Sequence, residues 1–335
     1  MKFLPDLLKT IMEQTYKEFN VLVIDNGSND GVEAFLRKEY PQVSMLRNQR
    51  NLGFSAAHNQ GIRFVIEHCK KSQMDDQFIL VCNPDMLMSA TFLANLMRVA
   101  RSAPRAGSFG GKLLRAYGEN LADEVLQETV RSDIIDSTAL NPHKNRTVSD
   151  RGAGEKDDGQ YDNDVDVFGI SGACVLFRAS ALEQVRYNDE FFDHDFFAYK
   201  EDVDLAWRLQ HAGWSSRFVP NAIAHHYRGM YGKETSGLFA KMKNRRRKSS
   251  MRNYYSTRNH WLVLIKNLRF SNSLIALPRI FIHETARMLY VFMLEPRSLR
   301  AIKDTISMFP KVFRKRRATL AKVNTSPREL RRWFV

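Results

Sequence analysis

Apolar positions recur at helical spacing from the start of the chain: Leu7, Leu8, Ile11 and Met12 predict an amphipathic helix over about Leu4 to Gln14. The short apolar run from Phe19 to Ile24 stops at Asp25-Asn26-Gly27-Ser28, the pattern of a buried strand running into a turn. A helix containing Ala34, Phe35 and Leu36 follows, then a strand near Val43 to Leu46 and a helix from Phe54 to about Cys69. The next strand, Phe78 to Cys82, ends at Asn83-Pro84-Asp85. Strands alternating with helices predict an α/β domain with a mostly parallel sheet. Ligands of such sheets bind beyond the carboxyl ends of the strands, where Asp25 and Asp85 stand.

The stretch from Ser132 to Asp166 is polar and longer than an ordinary connector, which predicts a functional or disordered loop. Val167 to Phe177 reads as one further strand, in which Gly172 leaves room for a ligand to approach the backbone. Phe196 to Tyr199 is rich in aromatics and runs into Glu201 and Asp202, which open an amphipathic helix closed by Gly213. Asp202 shares a face with Leu205, Ala206 and Leu209 and so points inward. A carboxylate held there can act as a general base. The helix dipole alone also favours acids in a first turn. Phe218-Val219-Pro220 begins a short element that ends near His225-His226-Tyr227-Arg228-Gly229.

Charge divides the chain. The net charge of +14 over 335 residues is carried by the end: Lys241 to Val335 holds 24 Lys and Arg against 4 Asp and Glu, while the first 240 residues are slightly acidic. This predicts a body over 1–240 and a basic, amphipathic helical region over 241–335, with basic clusters at Lys243 to Lys248 and Arg314 to Arg317. Such a tail calls for an anionic partner, lipid or nucleic acid. No nucleic-acid module or regular aromatic platform accompanies it, which sets nucleic acid last. Leu274 to Leu294 is apolar but interrupted by Pro278, Arg279, His283, Glu284 and Arg287, as in an interfacial or bundle helix rather than a span. An oligomer interface is an alternative use for it. The three cysteines match no metal spacing, and the pattern reads as that of a cytosolic protein.

Each chemical signal has a plain structural reading. Asp85 can cap a helix, Asp25 to Gly31 can be an Asx-rich turn, Asn51 to Asn59 a turn and cap, and His226 a surface histidine. Their order and spacing together are specific. Leu22 to Gly31 resembles the strand and Asp-x-Gly-Ser turn of glycosyltransferase family 2, inverting enzymes of GT-A fold that use nucleotide sugars. Arg50-Asn51-Leu52-Gly53 through Asn59-Gln60-Gly61 resembles that family's Asn-x-Gly segment near the nucleotide. Asn83-Pro84-Asp85 resembles its DXD-type element in the form found among rhamnosyltransferase-like members. Phe192 to Arg208 resembles the acceptor-side segment, and Pro220 to Gly229 the strand that completes the metal site. The similarity covers about Phe3 to Lys266.

The resemblance implies roles. Asp25 and Asn26 would contact the base or ribose of the donor, with Asn51, Gly53, Asn59 and Asn83 around the nucleotide. Asp85 and His226 would hold Mg²⁺ or Mn²⁺ on the diphosphate, with His225 one residue of register away. Asp202 would deprotonate the acceptor hydroxyl, and Glu201 would orient the site. The implied reaction transfers a sugar, L-rhamnose from dTDP-rhamnose in first place, to a lipid-linked or polysaccharide acceptor of the cell envelope. The implied place is the inner face of an anionic plasma membrane. Members of the family begin with an apolar strand ahead of the first helix, whereas this sequence opens on the helix. The resemblance therefore also admits a non-catalytic GT-A remnant that acts by binding.

Overall fold

The computed structural model describes residues 1–118, 129–227, 249–269 and 274–334. The helical spacing at the start forms α1 (Leu4–Met12), with a proline in its first turn and Leu7 and Leu8 buried. Then come β1 (Leu22–Asp25), α2 (Val32–Glu39), β2 (Ser44–Arg47), α3 (Phe54–His68), β3 (Phe78–Cys82), β4 (Met86–Met88), α4 (Phe92–Ser102) and β5 (Ala106–Gly118). The polar stretch after it is only partly loop: it contains β6 (Thr129–Ser137), β7 (Leu140–Pro142) and β8 (Val148–Asp150), and residues 151–165 form turns. Internal pairing explains this order. The Lys112 Nζ lies 2.9 Å from Asp157 and 2.8 Å from Asp162, and Arg151 Nη1 lies 2.9 Å from Asp164.

The expected strand from Val167 to Phe177 is split into β9 (Asp166–Val167) and β10 (Cys174–Arg178), and Ser171-Gly172-Ala173 lies between them. α5 (Ala179–Val185), α6 (Glu201–Ala212) and β11 (Ser215–Tyr227) complete the body. Gly213 stops α6 at φ 91°, a left-handed conformation that glycine adopts freely. Pro220 is absorbed by a bulge: the pairing of β11 with β5 shifts between Val219 and Ile223.

The sheet is mixed, which corrects the expectation of mostly parallel pairing. β1 and β2 pair in parallel as a separate two-stranded sheet. The seven-stranded sheet runs β3-β10-β5-β11-β4, with β6 on β5 and β9 on β11, and only β5 and β11 pair in parallel. β10 enters between β3 and β5 antiparallel to both, a placement that helix–strand alternation does not encode. Its five residues are all buried and alternate between two layers. Val175 and Phe177 face α3, α5 and α6 with Ile62, Leu182 and Leu205, while Cys174 and Leu176 face α1 and α4 with Leu7, Phe92 and Leu96.

The end of the chain folds as α7 (Ser250–Asn267), α8 (Leu277–Leu294), α9 (Arg300–Ser307), α10 (Phe309–Ala321) and α11 (Pro327–Arg331). These helices extend the core of the body. Leu262 and Val263 of α7, Val312 of α10 and Phe334 pack with Phe168, Phe196, Val203 and Trp207. Two buried lysines cross the same junction. Lys266 Nζ lies 2.5 Å from Asp193 and 2.7 Å from Asp204, and Lys315 Nζ lies 2.5 Å from Asp193 and 2.6 Å from Glu190. Part of the basic tail thus points inward and neutralises acids of the body. The expected boundary at residue 240, the cluster Lys243 to Lys248, and Arg228 and Gly229 lie outside the described residues. Among the described residues, no helix is long and apolar enough to cross a membrane.

Candidate active site

Four neighbouring strands set one row of charged side chains. In β11, His226 pairs with Met86 at the start of β4 and with Arg115 of β5, and Leu114 of β5 pairs with Ile135 of β6. The row is Asp85, His226, Asp136 and Arg115. His226 Nε2 lies 3.2 Å from Asp85 Oδ1, outside hydrogen-bond alignment, and His226 Nδ1 lies 2.8 Å from Asp136 Oδ2. Arg115 Nε stands 3.7 Å from the other oxygen of Asp136. Burial opposes charge on His226, but its hydrogen bond to Asp136 and the nearby Asp85 carboxylate prevail and raise its pKa to about 9. His225 alternates to the other side of the strand, where burial and Arg131 lower its pKa to about 4.

The residues present suit a hard divalent cation. A carboxylate oxygen and an imidazole nitrogen converge, and Asp136 on the far ring nitrogen fixes the tautomer that presents Nε2, as the outer partners of histidine ligands do. Among the described residues, no group of three ligating side chains comes together. The remaining positions of such an ion would fall to diphosphate oxygens and water, the usual arrangement for Mg²⁺.

The expected donor side gathers at the end of β1. Asp25 is buried, accepts from Ser28 N at 2.9 Å and has Arg47 Nε at 3.3 Å. Asn26 and Asn51 are bonded to each other, Nδ2 to Oδ1 at 2.9 Å. Asn26 also reaches Gly53 O at 3.3 Å and accepts from Leu52 N at 3.0 Å, so both amides shape the loop. Gly53 has φ 83°, and a Cβ there would stand 2.5 Å from the Phe197 ring and 2.6 Å from its carbonyl oxygen. Asn59 is placed differently from the expectation. It is fully buried, donates to Phe192 O at 2.7 Å and accepts from Phe192 N at 2.8 Å and Phe191 N at 3.2 Å. Its amide is committed to the acceptor-side backbone, and any effect on the nucleotide is indirect.

Asp202 is held by backbone. Its Oδ2 accepts from Gly172 N at 2.9 Å and its Oδ1 from Val203 N at 2.7 Å. The next residue, Ala173, accepts from Asn83 N at 2.8 Å through its carbonyl, so the Gly172-Ala173 segment ties Asp202 to the Asn83-Pro84-Asp85 element. Burial and Asp150 raise the Asp202 pKa against the two backbone hydrogen bonds and Lys200. Burial and Asp202 raise the neighbouring Glu201 to about 8, and its Oε2 is buried with no hydrogen-bond partner. Lys200 is lowered to about 8 by burial and Arg287. Raised carboxylates beside a depressed lysine mark a site suited to proton transfer.

The turn before α6 is strained. Phe197, Tyr199 and Lys200 have φ of 59°, 69° and 71°, in the left-handed region that side chains disfavour. Helix α7 braces it. Asn259 Nδ2 lies within hydrogen-bond reach of three carbonyls, Phe196 O at 2.9 Å, Ala198 O at 2.8 Å and Tyr199 O at 2.7 Å. The Tyr255 ring stacks on Phe197 at 5.2 Å. Phe54 N donates to Phe197 O at 2.7 Å, which joins this turn to the expected donor side. Asp136 and Asn259 carry no local mark in the sequence, because their partners lie on a strand and a turn far away in the chain.

This fold is shared with a crystal structure of GalNAc-T7 with UDP, GalNAc and Mn²⁺. The match has a TM-score of 0.54 at 11% identity and covers 79% of this chain and 45% of that one, placing the architecture among the GT-A glycosyltransferases. Sequence goes further: the chain belongs to glycosyl transferase family 2, whose model matches residues 1–186. A second model, glycosyl transferase family group 2, matches residues 153–299. The chain is 30% identical over 238 residues to N-acetylglucosaminyl-diphospho-decaprenol L-rhamnosyltransferase of Mycobacterium tuberculosis, covering 70% of this chain and 75% of that relative. It is also 32% identical over 176 residues to the rhamnosyltransferase WbbL of Escherichia coli K12, covering 52% of this chain and 61% of the other. The protein is therefore a rhamnosyltransferase-like glycosyltransferase of this family.

Proposed function

We propose that this enzyme transfers L-rhamnose, with inversion, from dTDP-rhamnose to a hydroxyl of a lipid-linked N-acetylglucosamine acceptor in cell-envelope glycan synthesis. The observation that carries the chemistry is Asp202, fixed by the Gly172 and Val203 N–H groups with its pKa raised and linked to Asn83 through Gly172-Ala173. The choice of sugar and acceptor is supported by similarity to the two rhamnosyltransferases. Asp202 takes the proton of the acceptor hydroxyl as that oxygen attacks the anomeric carbon. The bond from that carbon to the diphosphate breaks on the opposite face, and the nucleoside diphosphate departs with its electron pair. Asp85 and His226 would hold Mg²⁺ or Mn²⁺, which supplies positive charge against the leaving diphosphate. Asp25, Asn26, Asn51 and Gly53 shape the donor pocket. Glu201, neutral at pH 7, limits negative charge beside the base. The reaction belongs at the inner, anionic face of the plasma membrane, where a lipid-linked acceptor is anchored.

Calorimetric titration with dTDP, UDP and GDP, each with and without Mn²⁺, tests the donor site. Metal-dependent binding of dTDP alone is expected. Asp202→Asn should lower transfer at least about a hundredfold while leaving dTDP binding intact. Undiminished turnover would remove Asp202 as the base. Absence of binding by all three nucleotides would favour the non-catalytic reading.

A further inference from the structure

Helix α8 inverts the usual order of a surface helix, in which apolar residues face the protein and polar ones face water. Its inner side carries Ile280 and Val291 together with His283, Glu284 and Arg287. Glu284 accepts from Trp261 Nε1 at 2.8 Å and lies 2.8 Å from His260 Nε2, while Arg287 lies 3.0 Å from His283. Its outer side presents Phe281, Ile282, Phe292 and Met293, which are 72, 68, 70 and 66% exposed. Met288 and Leu289 continue the stripe between them, and Ile306, Phe309 and Phe313 add to it from α9 and α10. An apolar groove of about 270 Å³ opens among these helices, lined by Trp261, Leu264, Ile265, Met288, Ile302 and Phe309. Exposed apolar surface of this extent marks an interaction face.

Charge selects the partner. The three acids between Leu274 and Ala321 are all turned in or bonded. Glu284 is held as described, Glu295 accepts from Asn253 and Ser298, and Asp304 accepts from Tyr254. The exposed charges of the same stretch are basic, among them Arg279, Arg297, Arg300, Lys303, Arg314 and Arg317. A second copy of this face would set like charges against each other, which disfavours a two-fold contact. Apolar side chains beside basic ones, with no exposed acid, match the boundary of an anionic bilayer.

We propose that the outer face of α8, with α9 and α10, seats the enzyme in the interfacial layer of an anionic membrane. Phe281, Ile282, Phe292 and Met293 enter among the acyl chains, and the arginines and lysine lie against lipid phosphates. The inference deepens the membrane reading above but does not depend on sugar transfer. Its test uses the whole chain without donor or acceptor, sedimented with vesicles of phosphatidylcholine alone or with about one-third phosphatidylglycerol. Binding is expected to the anionic vesicles and to weaken with added salt. Phe281→Ser with Phe292→Ser should lower the partition coefficient about a hundredfold, and Arg279→Ala, Lys303→Ala and Arg314→Ala about fivefold each. Unchanged melting temperature and dTDP binding would show that these variants fold. Equal binding to both vesicle types, none to either, or a double phenylalanine variant that binds like the parent would overturn the inference. So would a stable dimer in sedimentation velocity that the phenylalanine variants dissolve. A chain that binds anionic vesicles but transfers no sugar would count against the proposed reaction alone.

Discussion

Asn259 offers the sharpest test of how the site is held. Its Nδ2 serves the carbonyls of Phe196, Ala198 and Tyr199 at 2.7 to 2.9 Å, around a turn with three left-handed residues among Phe197, Tyr199 and Lys200. Each left-handed residue costs on the order of 1–2 kcal/mol, so the turn opposes its own conformation by about 3–6 kcal/mol. The amide has two N–H donors to share among these carbonyls, and losing them forfeits about 1 kcal/mol apiece. Asn259→Ala therefore removes about 2 kcal/mol of the restraint that opposes the strain. The released turn lets Lys200, Glu201 and Asp202 swing from the Gly172 peptide. A loss of this size corresponds to about thirtyfold in kcat. The assay is steady-state transfer with both substrates varied, beside dTDP titration and thermal melting. The expected result is a fall in kcat with dTDP affinity within about twofold, since the Asn259 amide nitrogen donates to the acceptor-side turn. A kcat within threefold of the parent (about 0.7 kcal/mol) would refute the bracing argument. Equal losses of kcat and dTDP binding, with a large fall in melting temperature, would reduce Asn259 to a general structural role.

Two further outcomes follow from the same geometry. Asp136→Asn keeps the size of the side chain but weakens its hold on His226 Nδ1, so the Mn²⁺ concentration for half-maximal transfer should rise about 10–100-fold. An unchanged Mn²⁺ dependence would separate Asp136 from the metal site. Glu201 has a folded pKa of about 8, above its ordinary 4.5, so the native state keeps a proton that the unfolded chain gives up. Its contribution to stability is then fullest below about pH 4.5 and declines as pH rises toward 8. Glu201→Gln should gain stability relative to the parent across that window, by up to about 3 kcal/mol at pH 7. Denaturant unfolding at acidic, neutral and mildly alkaline pH reads the gap, and one that narrows with pH would refute it.

Much of the scaffold was legible because its signals are local. The spacing of Leu7, Leu8 and Ile11 gives α1, the run before Asp25 gives β1, and Gly213 ends α6 where its left-handed conformation requires. Asp85 and His226 could be proposed as partners only through resemblance, since 141 residues separate them and β4–β11 pairing brings them together. The order of the Ser132–Asp166 stretch was hidden because polarity resembles a loop until the ionic partners of Lys112 and Arg151 are known. Asp136 carries no local mark: it sits in that same polar stretch, and its meaning comes from His226 across the sheet. Sheet direction was also out of reach, because β10 follows a turn at Ser171 to Ala173 that splits one apolar run into two elements.

The buried lysines have a consequence for anyone who would dissect this protein. Lys266 and Lys315 come from the last third of the chain, yet they neutralise Asp193 and Asp204 at the heart of the acceptor side. Ending the polypeptide before α7 would strip Asp193 of both its cations and leave Asp204 with Arg208 alone, a penalty of about 3–5 kcal/mol for a broken buried pair. That approaches the whole margin by which an average domain stays folded. Trimming the sticky helices to improve solubility should therefore yield an inclusion body, and hybrids between relatives should exchange residues 190–208 and the helices bearing both lysines as one cassette.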